Sequence, residues 1–300
     1  MDCFQIAGTG FGIQIPGKNL SPGKYLRNFR VPESYYAGIE NKINIHIEEK
    51  VFEISEAVSE TGGRVIWEER GKKYLASAYG HCRYAAAFSP ADWKEDKIIV
   101  KVDPNIYREY SFNMNQLLSI TGLHSPLLAR GGLTVHASYI ETGDGVNRQG
   151  VLFTGPSGMG KSTQAELWSR FADARIINGD RTVVRREKDG WKAHGIPVCG
   201  SSQICENESL PIRIIIVLAQ GIENRVEEIK EGEKYRALLL ASAFYQWDAY
   251  ESEKVHELIT ELISEVPIIR LVCRPDKGAV RTVQKYIAQD SITQERKSRG

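Results

Sequence analysis

Residues 155–163 read Gly-Pro-Ser-Gly-Met-Gly-Lys-Ser-Thr, and no other stretch constrains the chain so tightly. The segment satisfies G-x-x-x-x-G-K-[ST], a pattern whose glycines admit the positive backbone angles that turn successive amide hydrogens toward one point. Gly155, Gly158 and Gly160 supply them. An apolar strand pattern, Gly150 to Phe153, precedes the loop, and a helical pattern, Thr163 to Ala172, follows it. Strand, glycine loop and helix in that order form a nest for phosphate oxygens, with the positive end of the helix behind it. Such a loop needs a mixed α/β domain, in which strand and helix are both held by a core.

The rest of the motif specifies the ligand. Lys161 is a mobile point charge able to reach β and γ phosphates, and the Ser162 hydroxyl can complete a magnesium shell. Ser157, Met159 and Thr163 fill out the cradle around the glycines. ATP and Mg2+ are therefore the expected cofactors. A phosphate-bound magnesium also wants a carboxylate at the end of a neighbouring strand. Asp180 is the candidate, because it follows the short apolar run Arg175 to Ile177 through Asn178-Gly179 and stands nineteen residues after the lysine. The competing reading is an aspartate that merely caps a turn with Gly179.

A chain of 300 residues holds one large domain with a smaller one attached. Three parts are expected: a β-rich region over 1–112, a nucleotide-binding domain over 113–288, and a polar tail over 289–300. Alternating runs at Ile43–Ile47, Val65–Trp67, Lys73–Ala76 and Lys97–Val102 predict a mostly antiparallel sheet, with a hairpin turn at Arg70-Gly71. Pro16, Pro22 and Pro32, with many glycines, predict an irregular start. Helical spacing is predicted over Asn113–Ile120, and again past Gly122 toward Ala129. Leu133–Ile140 and Gly150–Phe153 are predicted strands joined by a turn over Glu141–Gln149. Thr182–Arg186 is a further extended run, and Ile212–Leu218, apolar apart from Arg213, is the strongest buried-strand signal. Helices over Glu233–Phe244 and Glu251–Ser264, a strand over Pro267–Val272 and a helix over Ala279–Ile287 complete the prediction.

Charge narrows the partners. With 39 basic and 38 acidic residues the net charge is +1, so no global field attracts nucleic acid or an anionic membrane. The first ten residues lack a basic start followed by an apolar run, and no stretch approaches a membrane span, so a cytoplasmic protein is expected. Cys3, Cys82, Cys199, Cys205 and Cys273 are odd in number and irregularly spaced, which reads as reduced thiols.

Four segments together resemble the catalytic domain of the HPr kinase/phosphorylase family, a relative of phosphoenolpyruvate carboxykinase. They are Gly132-Leu133-Thr134-Val135-His136-Ala137-Ser138, the loop from Gly155 to Thr163, Ile177-Asn178-Gly179-Asp180-Arg181, and His194-Gly195-Ile196-Pro197 with Cys199-Gly200-Ser201. The likeness runs over roughly Leu133 to Ile287. It implies a mixed-sheet kinase domain and ATP-dependent phosphorylation of a hydroxyl, typically a serine, on a peptide, a protein or a small molecule. It also implies that His136 lies near the transferred phosphoryl group and that Asp180 and Arg181 fall on the family's acidic segment. Dimers and hexamers both occur in that family, so a homo-oligomer is compatible with it.

Two departures matter. Many members carry two adjacent aspartates in the acidic segment, one for metal and one as base, whereas this chain has Gly179 before Asp180. The glycine-rich segment used for the phosphorylase reaction and for gripping HPr has no counterpart here, so the resemblance carries neither that reaction nor that acceptor. Alternatives stand beside each assignment. His136 also reads as a core strand histidine, Arg181 and Arg274 as charge stabilisers or as surface arginines, and Trp247 with Asp248 as pocket residues or as a packed helix end. An ATP-binding regulator without catalysis is the second functional reading, and a carboxykinase the third. The β-rich region is the candidate for recognising the acceptor.

Overall fold

The computed structural model describes residues 1–298 apart from 52, 55, 56 and 62. Its chain divides into two compact units, Met1–Gly132 with Phe244–Lys254 and Leu133–Ala243 with Val255–Gly300. Each contains a mixed sheet, so the protein belongs to the α/β class. Helices Met114–Ile120 and His124–Leu128 fall in the first unit, although the expected boundary at 112 assigned them to the second. The apolar face of the former, Met114, Leu117 and Leu118, is buried there.

The first unit is built on strands β1 (Asp2–Ile6), β2 (Thr9–Gln14), β3 (Lys42–Glu49), β4 (Ser59–Thr61), β5 (Arg64–Glu69), β6 (Lys72–Tyr79), β7 (Cys82–Phe88) and β8 (Lys97–Val102). Their order in the sheet is β1-β2-β3-β8-β7-β6-β5-β4. Pairing is antiparallel except for β2 with β3 and β3 with β8, which run parallel. At the β5–β6 hairpin Glu69 pairs with Lys72, and Arg70 and Gly71 between them have φ of 53° and 74°, the geometry of a two-residue reverse turn with both central angles positive.

The first two strands occupy the segment whose glycines predicted irregularity. Gly10 and Gly12 lie directly under the Tyr36 ring, where an added Cβ would come within 3.1 Å and 2.8 Å of its atoms. The glycines thus let the helix Glu33–Ala37 press its one buried tyrosine onto the strand, and the Tyr36 hydroxyl donates to Ile43 O at 3.0 Å. Local propensity loses to this close packing.

The second unit comprises β9 (Gly132–Thr142), β10 (Gln149–Thr154), β11 (Arg175–Asn178), β12 (Arg181–Glu187), β13 (Gly190–Gly195), β14 (Ser209–Gln220), β15 (Arg225–Glu228) and β16 (Ile268–Cys273). At its centre β10, β14 and β16 run parallel, while β9 and β11 add antiparallel strands beyond β10. Val151, Phe153, Ile214, Ile216 and Leu271 form the core with Ala165 and Trp168 of the helix Lys161–Ala172. The lone basic residue in β14 is accommodated, because Arg213 donates to Ile287 O at 3.3 Å on the last helix. That helix runs Lys277–Ser298, beyond the predicted end at Ile287. Strands β4, β7, β13 and β15 lay outside the sequence reading.

Among the described residues no helix is long and apolar enough to cross a membrane. All five cysteines are buried thiols.

One buried carboxyl makes the first unit sensitive to pH. Glu251, 3% exposed, accepts hydrogen bonds from the Ser125 hydroxyl and, at 2.6 Å, from the Tyr245 amide. Burial nevertheless outweighs both bonds and pushes the carboxyl from 4.5 up to about 7. Since the folded state then holds the proton more tightly than the unfolded chain, the contribution is complete below the unfolded value and is lost as pH rises through the folded one. The shift amounts to roughly 3 kcal/mol. Thermal melts between about pH 5 and pH 8 should therefore show a decline in Tm that flattens in Glu251→Gln; an identical decline in both proteins would refute the assignment.

Candidate active site

The loop after β10 has the backbone its composition requires. Gly155, Gly158 and Gly160 take φ of 143°, 77° and 92°, and Gly160 caps the helix Lys161–Ala172. No backbone or side chain within 4 Å would obstruct a Cβ at Gly158, so there the positive angle alone calls for glycine. Lys161 is 7% exposed and donates to Gly155 O at 2.9 Å and Pro156 O at 3.1 Å. Burial lowers its pKa and nearby Asp180 opposes that shift. A desolvated ammonium at the start of a helix and beside a positive-φ glycine loop fits a polyanion, since both of its hydrogen bonds go to neutral carbonyls.

Asp180 is held by the segment before it. Asn178 is fully buried; its Oδ1 accepts from the amides of Asp180 and Arg181, both at 3.0 Å, while its Nδ2 donates to Ile196 O at 2.8 Å. The Ser138 hydroxyl donates to Gly179 O at 2.9 Å, which joins the same turn to β9. Strand β11 is anchored by Arg175, whose guanidinium lies 2.6 Å from Glu141 and 3.0 Å from Glu208. Arg148 also pairs with Glu141, and these arginine bonds hold that carboxyl below the ordinary range.

His136 and Asp180 meet across this turn, Nε2 to Oδ1 at 3.2 Å. Along Gly132–Glu141 every residue is buried except His136, so it faces the cleft and is not a core histidine. Its pKa is lowered, first by burial and then by the positive charge of Lys161, with Asp180 acting in the opposite sense. A neutral imidazole carrying its proton on Nε2 would donate to Asp180. Arg181 lies on the other carboxylate oxygen, with Nε 3.6 Å from Oδ2.

These groups line one cleft of about 320 Å³, formed by His136, Ser157, Gly158, Gly160, Lys161, Ser162, Thr163, Gly179, Asp180 and Ser201. The Ser162 hydroxyl is 3.4 Å from Gly179 O, so the serine and the aspartate turn are neighbours. Among the described residues there is no cluster of three His, Cys, Asp or Glu side chains suited to a metal. An ion held here by Ser162 and Asp180 would therefore take its remaining ligands from phosphate oxygens and water. Arg274 is elsewhere: it lines a second cleft and pairs with Asp276 at 3.0 Å. Trp247 lines a cavity in the first unit with Arg64, Ile66 and Leu75, and Asp248 caps the helix Ala249–Glu265 through Glu251 N at 2.9 Å.

Sequence reasoning did not foresee the short turn Gly200–Ser202. A Cβ on Gly179 would fall 2.0 Å from Ser202 Oγ, and one on Gly200 would fall 2.8 Å from Asp180 Cγ. Ser202 thus occupies the space that a second acidic side chain at position 179 would need, which is the physical reason for Gly179-Asp180. The only sequence signal was the cluster Cys199-Gly200-Ser201 itself.

The α/β unit with its glycine loop and facing aspartate defines the class of site. No protein-family model matches the sequence, and no curated protein matches it. Among solved structures the chain is similar to the Hpr(Ser) kinase/phosphatase from Coxiella burnetii, at 14% identity and a TM-score of 0.31, covering 55% of this chain and 94% of that one. The likeness is distant, and the chemistry rests on the geometry above.

Gly179→Ala should cost about 1–3 kcal/mol in chemical denaturation, because backbone and Ser202 must both shift. Combining it with Ser202→Gly should recover part of that loss; equal stability of the single and double variants would disprove the steric account.

Proposed function

We propose that this protein is an ATP- and magnesium-dependent kinase that transfers the γ-phosphoryl group to a hydroxyl, of serine type, on a peptide, protein or small molecule. The reading is carried by one observation, the convergence of Lys161, Ser162, Asp180 and His136 on a single cleft beside a positive-φ glycine loop. Residues 155–163 would hold the triphosphate, and Lys161 would neutralise its terminal oxygens. Ser162 and Asp180 would hold magnesium, which when bound supplies positive charge against the phosphates.

Phosphoryl transfer needs positioning and charge neutralisation more than covalent help. The acceptor oxygen bonds to the γ phosphorus as the bond to the β–γ bridging oxygen breaks, leaving ADP. Asp180 takes the proton from the acceptor hydroxyl. His136, donating from Nε2, keeps one carboxylate oxygen in register, and Arg181 steadies the other. The segment of the chain that selects the acceptor is a proposal for the first unit, and a homo-oligomer and a cytoplasmic setting are further expectations.

Purified protein with labelled ATP, magnesium and a pool of serine peptides or free serine tests this directly. Wild type should transfer label. Lys161→Ala should weaken triphosphate binding and end transfer. Asp180→Ala should retain much binding while turnover falls by about 100-fold or more. Saturable ATP binding without transfer by wild type would favour a regulator of the same fold, and an active Asp180→Ala protein would refute the assignment of that carboxylate.

A further inference from the structure

The proposed transfer needs an acceptor oxygen near Asp180, and the chain itself supplies a hydroxyl to that cleft. Ser157, Ser162, Thr163 and Ser201 all line it. The first three belong to the glycine loop and the first turn of the helix behind it, so they stand with the phosphates. Ser201 comes from a different segment, the short turn Gly200–Ser202.

Packing fixes where that turn stands. Both neighbours of Ser201 are seated on the aspartate turn, Gly200 against the Asp180 side chain and Ser202 against Gly179. Gly200 and Gln203 take positive φ of 54° and 55°, which folds the segment back at each end.

The two serines of the turn differ in what their hydroxyls do. Ser202 is occupied, since its Oγ donates to Cys199 O at 2.7 Å and accepts from Ile204 N at 3.3 Å. Ser201 is exposed, and among the described residues its hydroxyl makes no hydrogen bond. A free hydroxyl, one residue from a glycine that touches the proposed base and in the same cleft as Lys161, has the placement of an internal acceptor.

We propose that Ser201 is a self-modification site: with no other acceptor present, its hydroxyl takes the γ-phosphoryl group of ATP held in the same molecule. The inference rests on the kinase reading above and adds a modified residue which that reading does not require. Ser201 Oγ bonds to the γ phosphorus as the bond to the β–γ bridging oxygen breaks, and that electron pair leaves with ADP. The hydroxyl proton passes to Asp180. Glycine loop, aspartate turn and Ser201 all lie in the second unit, so the step needs no second chain.

Mass spectrometry of the purified chain, before and after incubation with ATP and magnesium and with no added acceptor, tests this. Calorimetry with a non-hydrolysable ATP analogue and magnesium runs beside it. A single phosphoryl group per chain should be found, fragmentation should place it on Ser201, and its rate of formation per molecule should not change with protein concentration. Ser201→Ala should lose the group. Nucleotide uptake by wild type with no phosphoryl group on Ser201, or with the group on another residue, would overturn the proposal while leaving the triphosphate reading standing, and needs no variant to fold. A rate per molecule that rises in proportion to protein concentration would overturn transfer within one chain. Absence of nucleotide uptake would overturn the kinase reading, and this proposal with it.

Discussion

The ammonium of Lys161 is the interaction on which the rest of the site depends. It is nearly buried, and its recorded partners are two carbonyl oxygens of the very loop it follows. A charge withdrawn from water, hydrogen-bonded to neutral carbonyls and with one carboxylate, Asp180, nearby, is stabilised further by an anion that reaches it. Beside it the loop takes its turn through three glycines at angles that side chains rarely adopt. Positive glycine angles, one helix N-terminus and one desolvated cation therefore stand together, and the proposed phosphate site rests on that combination.

Around that centre the unit is organised to present a carboxylate. Asn178, with no exposure, spends its whole amide on holding a turn: two backbone N–H groups on one side and Ile196 O on the other. The turn is tied to β9 through Ser138, and β11, which leads into it, is tied to β9 through the Arg175–Glu141 pair. His136 reaches the same carboxylate from β9. A carboxylate whose backbone is held in this way is fixed in place before any ligand arrives, which is what the proposed role of Asp180 requires.

Elements with strong local signatures were legible in the sequence. The Arg70-Gly71 hairpin, the run Ile212–Leu218 and the strand–loop–helix around Gly155 each follow from neighbouring residues, because turn angles, continuous apolar character and helix periodicity are short-range properties. Strand β2 was not legible: Gly10 and Gly12 weaken strand propensity, and distant side chains, Tyr36 with Ile39 and Met1, explain them. Similarly β7, β13 and β15 are short or weakly patterned and exist through their partners. The expected boundary at 112 differed from the contact division because helices Met114–Ile120 and His124–Leu128 carry no sign of which core they serve.

What the sequence determined by itself was the strand–loop–helix form around Gly155, since glycine freedom and helix periodicity act through the chain immediately around them. It also singled out His136, Asp180 and Arg181 as candidates. Only the tertiary structure decided that His136 and Asp180 are paired, that Arg274 belongs to a different cleft, and that Ser202 fills the space beside Gly179. Those facts are distances between residues far apart in the chain, set by strand register and core packing, and no local pattern encodes them.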